Sequence, residues 1–514
     1  MRSLPANPFA PAPQLFLEVP IDSEFFTFLQ EAHRLVAKES SLLDAIDADL
    51  DLHGQKKKAL RLQDAQWRKA CNRPLPAIDP LSTATPMAES LSLAQGRPRT
   101  DAYVVFLFMM GRGFFGGFKS AEATTLMLES VTLRVFLSNQ GIRLPGRSTL
   151  TELVNAVSVG TREKIYDAQI RKILDEGWDD GKVLTQDSTA VEGNVQWPTD
   201  SRLMVDLVER LWRRGGRLDV VGLPSFEEPQ IAKVLGVMSV LGREISLGDG
   251  PSKAKQRRRL YKKLLKKARR AMELLTPQLK RTQQALEDLD ILPSLHARAK
   301  RLVQWLMTDL ENLRRVVQCC EARILREEKV PVGEKVLSIS DPDAGFIAKG
   351  NRESVVGYKP QLARSGDGFI MGLIVPQGNA ADSCQLVPMF EQVFQRTGVI
   401  PDTVSVDDGY SSLMGRTTLL ELGVKVVSIS GSKGKMITST ADWNSEAYAT
   451  ARDHRSAVES LMFTIKNGFD FGRVARRGLE NVRAELLEKV LAYNFCRLAV
   501  FRRFAERHRE AQAA

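Results

Sequence analysis

Hydrophobic positions change their period several times along the chain, and the changes mark out its elements. Over 22–70 and again over 101–176, apolar residues recur at three- and four-residue spacing, which predicts amphipathic helices. Between them, "NRPLPAIDPLSTATPMAES" (72–90) reads as a linker because its prolines and small polar residues favour neither helix nor strand. Within the second helical region, "LPGRSTLTELVNAVS" follows a Gly/Pro break, and Ser148 or Thr149 is placed to cap a new helix. Short helices broken in this way suit a helix-turn-helix-like unit or a plain helical bundle.

The period falls to two at "KVLTQDSTAV" (182–191), a strand that carries Asp187. Helical spacing then runs from about 202 to 330. Strand patterning returns at "EKVLSIS" (334–340) and in a hairpin of 355–364 and 369–375, joined through Gly366, Asp367 and Gly368. A helix near 381–397 leads to a strand that ends in "SVDDGY" (405–410). A helix over "SLMGRTTLLELG" and a strand at "VKVVSIS" (424–430) come next. A helix over 445–467, stopped by Gly468, and another over 479–511 complete the pattern.

With the 202–330 block set aside, the order is strand, strand, strand, helix, strand, helix, strand, helix. That is an α/β layer arrangement, in which ligands gather at strand ends. The expected organisation is an N-terminal helical region with linker (1–98), a helical region with a helix-turn-helix-like, DNA-binding character (99–178), an α/β domain in two parts (179–201 and 333–470), a basic helical insertion between them (202–332), and a C-terminal helical region (471–514).

Composition sharpens this picture in two places. The net charge of +11 points to a polyanionic partner. It is concentrated in "KAKQRRRLYKKLLKKARR" (253–270), which holds eleven Lys and Arg and no acid. Leu260, Leu264, Ala268 and Met272 give that helix one face to pack, leaving Arg257, Arg258, Lys262, Lys263, Lys266 and Lys267 to meet phosphates. The alternative is a solvated helix in a bundle, or in an antiparallel coiled coil with 300–328. A smaller basic stretch, "GRVARRGLENVR" (472–483), offers Arg473, Arg476 and Arg477 to a nucleic-acid strand, or simply lines the surface.

The second place is the choice of polar chemistry. Five cysteines (Cys71, Cys319, Cys320, Cys384, Cys496) form no C-x-x-C pair, and the five histidines are scattered, which argues against zinc and for reduced thiols. "GSKGK" lacks the spacing of a phosphate-binding loop, so no nucleotide cofactor is expected. The first residues lack the layout of a secretory signal, and "YVVFLFMM" (103–110) is too short to span a bilayer. A cytoplasmic, nucleoid-associated bacterial protein with no membrane partner is expected.

Carboxylates carry the sharpest expectation. Asp187 lies on the first strand, and Asp407 ends a later one. Glu459 lies on the helix "RSAVESLMFTIKNGF" (455–469), beside a buried stripe of Val458, Leu461, Met462, Ile465 and Phe469. The strand order would bring the three to one end of the sheet, where their mutual repulsion calls for cations. Oxygen ligands without His or Cys select Mg²⁺ or Mn²⁺. Two such ions roughly 4 Å apart can activate a water or a 3′-OH and stabilise the leaving oxygen at a phosphodiester. Asp341 and Asp343 are rival carboxylates, and Asp408 is a fallback ligand beside Asp407.

The string R-x-x-x-E-x-x-x-x-x-x-K, met by Arg455, Glu459 and Lys466, resembles the signature of the DDE transposases of bacterial insertion sequences. That family has Tyr three residues before the Arg, where this chain has Arg452. "DSTAVEGNVQWPTDS", "SDPDAGFIAKG", "GYKPQLA" and "DDGY" resemble the family's strand segments, and "SGSKGKM" its Gly/Lys loop, here with Lys433 and Lys435. The similarity covers roughly 100–200 and 333–500. It implies an RNase H-like mixed sheet with flanking helices, and an enzyme that binds transposon ends, exposes 3′-OH groups and transfers them to target DNA. It also implies a homodimer to handle two ends, and places Asp187, Asp407 and Glu459 as ligands of two Mg²⁺ or Mn²⁺ ions. Arg455 and Lys466, with Lys433 and Lys435, would lie along the DNA backbone.

Overall fold

The structure, a computed structural model, describes residues 24–70, 100–116, 120–138, 144–197, 199–227, 229–247, 253–348 and 354–513. The Pro-rich start, the linker at 72–90 and Cys71 lie outside them. The described residues divide into two compact units, one drawn from 1–52, 98–194 and 343–514, the other from 53–97 and 195–342.

The first unit is built on β1 (Val183–Ser188), β2 (Val191–Glu192), β3 (Gly345–Ile347), β4 (Val355–Tyr358), β5 (Gln361–Ser365), β6 (Ile370–Ile374), β7 (Thr403–Val406) and β8 (Val426–Ile429). Five of these form a mixed sheet in the order β6-β5-β1-β7-β8. β1, β7 and β8 run parallel, whereas β5 is antiparallel to both β1 and β6. This is the RNase H-like arrangement with helices on both faces. The parallel strands read as unbroken buried runs, such as Val404, Ser405 and Val406, because both faces are covered.

Alternation along β1 shows which cover lies where. Gln186 donates from Nε2 to the Gln385 carbonyl (3.1 Å), at the start of the Leu386–Thr397 helix. Thr185 lies across from Ser405, whose hydroxyl reaches the Ala451 carbonyl (2.6 Å) in the Glu446–His454 helix. Ser456–Gly468 packs against β1. The run "YVVFLFMM" belongs to the Ala102–Phe114 helix, apolar all round and buried from Ala102 to Gly113, as a helix enclosed by protein must be. It packs on the final helix, Leu479–Ala513.

Several expectations give way. Ser148 and Thr149 do not cap a helix: both lie inside Arg147–Ala156, whose N-cap is Gly146. "EKVLSIS" is not a strand: after a single 3₁₀ turn at Val332–Glu334 the backbone is irregular, and Val336 and Ile339 pack onto the helical unit's core instead. The expected strand 355–364 is two strands. Pro360 has no N–H for a ladder, and the chain leaves a three-stranded sheet (β2-β4-β3) there to join the larger one. The expected helix over 445–467 breaks at Arg455, where Ser456 Oγ donates back to the Asp453 carbonyl (2.8 Å) and competes with the helical ladder.

The second unit is a bundle of the helices Asp200–Gly215, Pro229–Leu247, Ala254–Glu287 and Pro293–Cys320. Its core includes Leu207, Leu211, Met238, Leu264, Leu275, Leu306 and Leu313. The basic helix packs through Tyr261, Leu264, Leu265, Ala268 and Ala271; Leu260 and Met272 sit half-buried at the edge of that face. Among the described residues no helix is long and apolar enough to cross a membrane.

Candidate active site

Asp187 and Asp407 are related through strand register. Thr185 pairs with Ser405 as the last pair of the parallel β1–β7 ladder, and Asp187 and Asp407 each follow two residues later, which a two-residue period assigns to the face of Thr185 and Ser405. Both aspartates thus come at the same end of this strand pair. Asp187 Oδ1 accepts from the Ser188 amide (2.7 Å). Asp407 Oδ1 caps the 3₁₀ turn Asp408–Tyr410 by accepting from the Gly409 amide (2.9 Å). Gly409 serves by its lack of a side chain: a Cβ there would lie 3.0 Å from Asp407 Oδ1.

Glu459 is positioned differently. Val458, Leu461 and Ile465 bury the inner stripe of its helix, while Glu459 stays exposed (69 %) and meets Arg455 Nη2 at 3.5 Å. Among the described residues no three acidic, His or Cys side chains stand close enough together to hold a metal ion. The fold thus carries the two aspartates at one end of the β1–β7 pair and Glu459 on the helix packed against β1, with its carboxylate turned to Arg455.

The other acids have structural partners. Asp408 Oδ1 accepts from the Lys433 (2.9 Å) and Gly434 (3.0 Å) amides and from Ser411 Oγ (3.3 Å), which directs it to the first turn of the helix Ser432–Ile437. Asp343 accepts from the Leu479 amide (2.9 Å) at the start of the final helix. Asp341 is fully buried, its amide bonded to Ser338 Oγ.

Behind the aspartate pair lies a polar cluster that sequence reasoning missed. The buried Tyr410 hydroxyl donates to Gln361 Oε1. Gln361 Nε2 donates to Asp382 Oδ1 (2.8 Å), and Lys359 Nζ to Asp382 Oδ2 (2.8 Å). Burial pushes the Tyr410 hydroxyl well above its ordinary range, and the carboxylates of Asp382, Asp187 and Asp407 push it further, so it remains a donor. The Tyr in "DDGY" is visible in the sequence motif; Lys359, Gln361 and Asp382 come from distant segments with no shared spacing.

The basic residues divide by partner. Lys433 and Lys435 are exposed on the short helix Ser432–Ile437, which stands where a Gly/Lys loop was expected, and Lys466 is half-buried. Arg473 pairs with Glu192 (2.8 Å), and Arg477 donates to the Asn194 carbonyl (2.8 Å). Arg476 pairs with the buried Glu488 (2.8 Å). In the basic helix, Arg258 pairs with Glu327 (2.9 Å) and Arg257 is half-buried. Lys262, Lys263 and Lys266 are exposed and Lys267 half-buried; among the described residues none of these four has an ion-pair partner. Arg452, where the signature has Tyr, stacks on Trp443 and Tyr448, 4.8 and 5.7 Å from their ring centres.

Residues 319–495 match the family described as Transposase DDE domain. The matched stretch includes Asp407 and Glu459 and begins after β1, so Asp187 lies outside it and is related to Asp407 by strand register and to Glu459 by the packing of its helix against β1. No curated protein and no solved structure matches the chain.

Proposed function

From the premise that the chain carries a transposase DDE domain, we propose that it binds the ends of a mobile DNA element, cleaves them to expose 3′-OH groups and joins these to target DNA. Such domains depend on divalent metal and act on DNA. The observation that supports the reading is the parallel register of β1 with β7, which ends at Thr185 and Ser405 and leads, two residues on in each strand direction, to Asp187 and Asp407 at one end of an RNase H-like sheet. An all-oxygen pair of this kind fits Mg²⁺, or Mn²⁺, which binds through one or two carboxylates and completes its shell with water and substrate phosphate. Bound there, two such ions would activate a water or 3′-OH and stabilise the leaving oxygen.

Glu459 is the third ligand in this reading. Its exposed pair with Arg455 is worth roughly 0–1 kcal/mol, so releasing it to turn toward the aspartates costs little. Arg455, freed in turn, joins Lys433, Lys435 and Lys466 along the phosphate backbone, and the basic helix supplies sequence-independent affinity. Handling two ends calls for two copies of the chain.

The test is cleavage and joining of linear DNA carrying the element's own ends, in Mg²⁺ and in Mn²⁺. Asp187→Asn, Asp407→Asn and Glu459→Gln should each lower cleavage at least 10³-fold, as expected for loss of a group that acts on the reacting atoms, with low-salt DNA binding retained. Wild-type rates in all three would overturn the assignment. Hydrolysed ends without joined products would reduce it to a nuclease.

A further inference from the structure

We propose that Asp382 is a positioning residue: through Gln361 it fixes the turn carrying Asp407, and with Lys359 it sets the charge beside the aspartate pair, and so governs how tightly that pair holds a divalent cation. The inference rests on the metal-dependent reading above.

The geometry is a chain of hydrogen bonds ending at the pair. Lys359 and Pro360 form the crossing between the two sheets, so the Lys359 ammonium enters from the strand break and not from the surface; only 10 % of its side chain is exposed. The ammonium donates to Asp382 Oδ2 (2.8 Å) and to the Ala380 carbonyl (3.3 Å). Gln361, opposite Ser188 in the β1–β5 ladder, donates from Nε2 to Asp382 Oδ1 (2.8 Å). That bond orients the amide so that Oε1 receives the Tyr410 hydroxyl. Tyr410 in turn anchors the 3₁₀ turn that Asp407 caps. Asp382 therefore acts on Asp407 through Gln361 and Tyr410.

Its charge matters separately. A Cβ built on Gly409 would stand 3.0 Å from Asp407 Oδ1 and 3.3 Å from Asp382 Oδ2, so these oxygens lie within about 6 Å of each other. Carboxylates this close, one half-buried and the other largely buried, repel unless one is neutralised. The Lys359 ammonium neutralises Asp382, which leaves Asp407 with Asp187 as the charged pair. This division explains why a lysine and a carboxylate are enclosed together behind a site meant for a cation, a place where either alone would be costly. Groups that orient the ligands of a metal typically change its affinity 10–100-fold when altered.

The experiment is Mn²⁺ binding to the full chain without DNA, followed through the spectroscopic signal of free Mn²⁺. Asp382→Asn leaves the ammonium uncompensated near the pair and should weaken Mn²⁺ at least tenfold. Lys359→Met removes that positive charge and should not weaken it. The double variant Asp382→Asn/Lys359→Met, which encloses no lone charge, should return to within about threefold of wild type; it keeps the test valid if a single variant does not fold. A purely structural role would weaken binding in all three, and that pattern, or unchanged binding in Asp382→Asn, overturns the proposal. If the wild type binds no Mn²⁺, or binds it equally after Asp187→Asn and Asp407→Asn, the parent reading fails instead.

Discussion

Asp408 follows Asp407 directly, and its carboxylate serves the backbone. It ties the turn after β7 to the first turn of the helix Ser432–Ile437 by accepting from the Lys433 and Gly434 amides. The chain enters that helix through Gly431, whose φ of 98° lies in the region that disfavours L side chains. A Cβ there would stand 2.6–2.8 Å from Asp408. Gly431→Ala should therefore cost about 2–3 kcal/mol in urea unfolding, combining backbone strain with a clash against a group held on three sides. Gly468→Ala, where a Cβ meets nothing within 4 Å, should be within about 1 kcal/mol of wild type or stabilising. Equal effects at the two positions would remove the argument for the Asp408 clamp. At this scale Asp187 and Asp407 were legible because a two-residue period and an acidic strand end leave a local trace. Asp382, Lys359 and Gln361 were not, since their partners are set by tertiary approach.

Among elements, the most demanding junction in the first unit joins the Ala102–Phe114, Val159–Asp175 and final helices. The fully buried Glu488 pairs through Oε1 with Arg112 (2.8 Å) and Arg162 (2.7 Å), and through Oε2 with Arg476 (2.8 Å). Burial alone would raise its carboxyl, but Arg112, Arg476 and Arg162 outweigh that and hold it down at about 2. Because the folded value lies below the unfolded one of ~4.3, the contribution is fully present above about pH 5 and is lost as pH falls through about 2. Glu488→Gln would leave three guanidiniums around a neutral amide. It should destabilise by about 3–5 kcal/mol at pH 7 and flatten the acid limb of the stability profile. A variant as stable as wild type, with the same acid limb, would show that the cluster contributes little. The strand and helix order around this junction was readable from period alone, down to the hairpin turn and the β7 end. What misled was apolar alternation at 334–340, where Val336 and Ile339 answer to a neighbouring bundle and not to a sheet. Pro360 did mark a strand break in plain view, since a proline inside a central strand removes a ladder donor.

For the whole molecule, the question is what its excess positive charge does. The eleven Lys and Arg of 253–270 match the chain's entire net charge of +11, so the rest is balanced. Packing into the bundle and binding DNA are compatible roles for this helix, because they use different faces. Tyr261, Leu264, Leu265 and Ala268 fill the bundle core, while Lys262, Lys263 and Lys266 face water and Lys267 lies half-buried beside them. None of the four has an ion-pair partner among the described residues, unlike Arg258 and Arg269, which are bound to Glu327 and Glu321. Like charges crowded on one helix face repel, and a polyanion relieves that repulsion while releasing its own counterions. Replacing all four lysines by Gln should leave the melting of the bundle nearly unchanged, since none contributes to its core. It should reduce the slope of log K against log salt for non-specific duplex binding by up to ~3–4, at about 0.9 for each phosphate no longer neutralised. The same variant should cut pre-bound DNA at low salt as fast as wild type, because the proposed aspartate site lies in the other unit. An unchanged slope would leave the face with packing neighbours and no phosphate partner, and the source of the protein's DNA affinity would then have to be sought at Lys433, Lys435 and the arginines around the sheet edge.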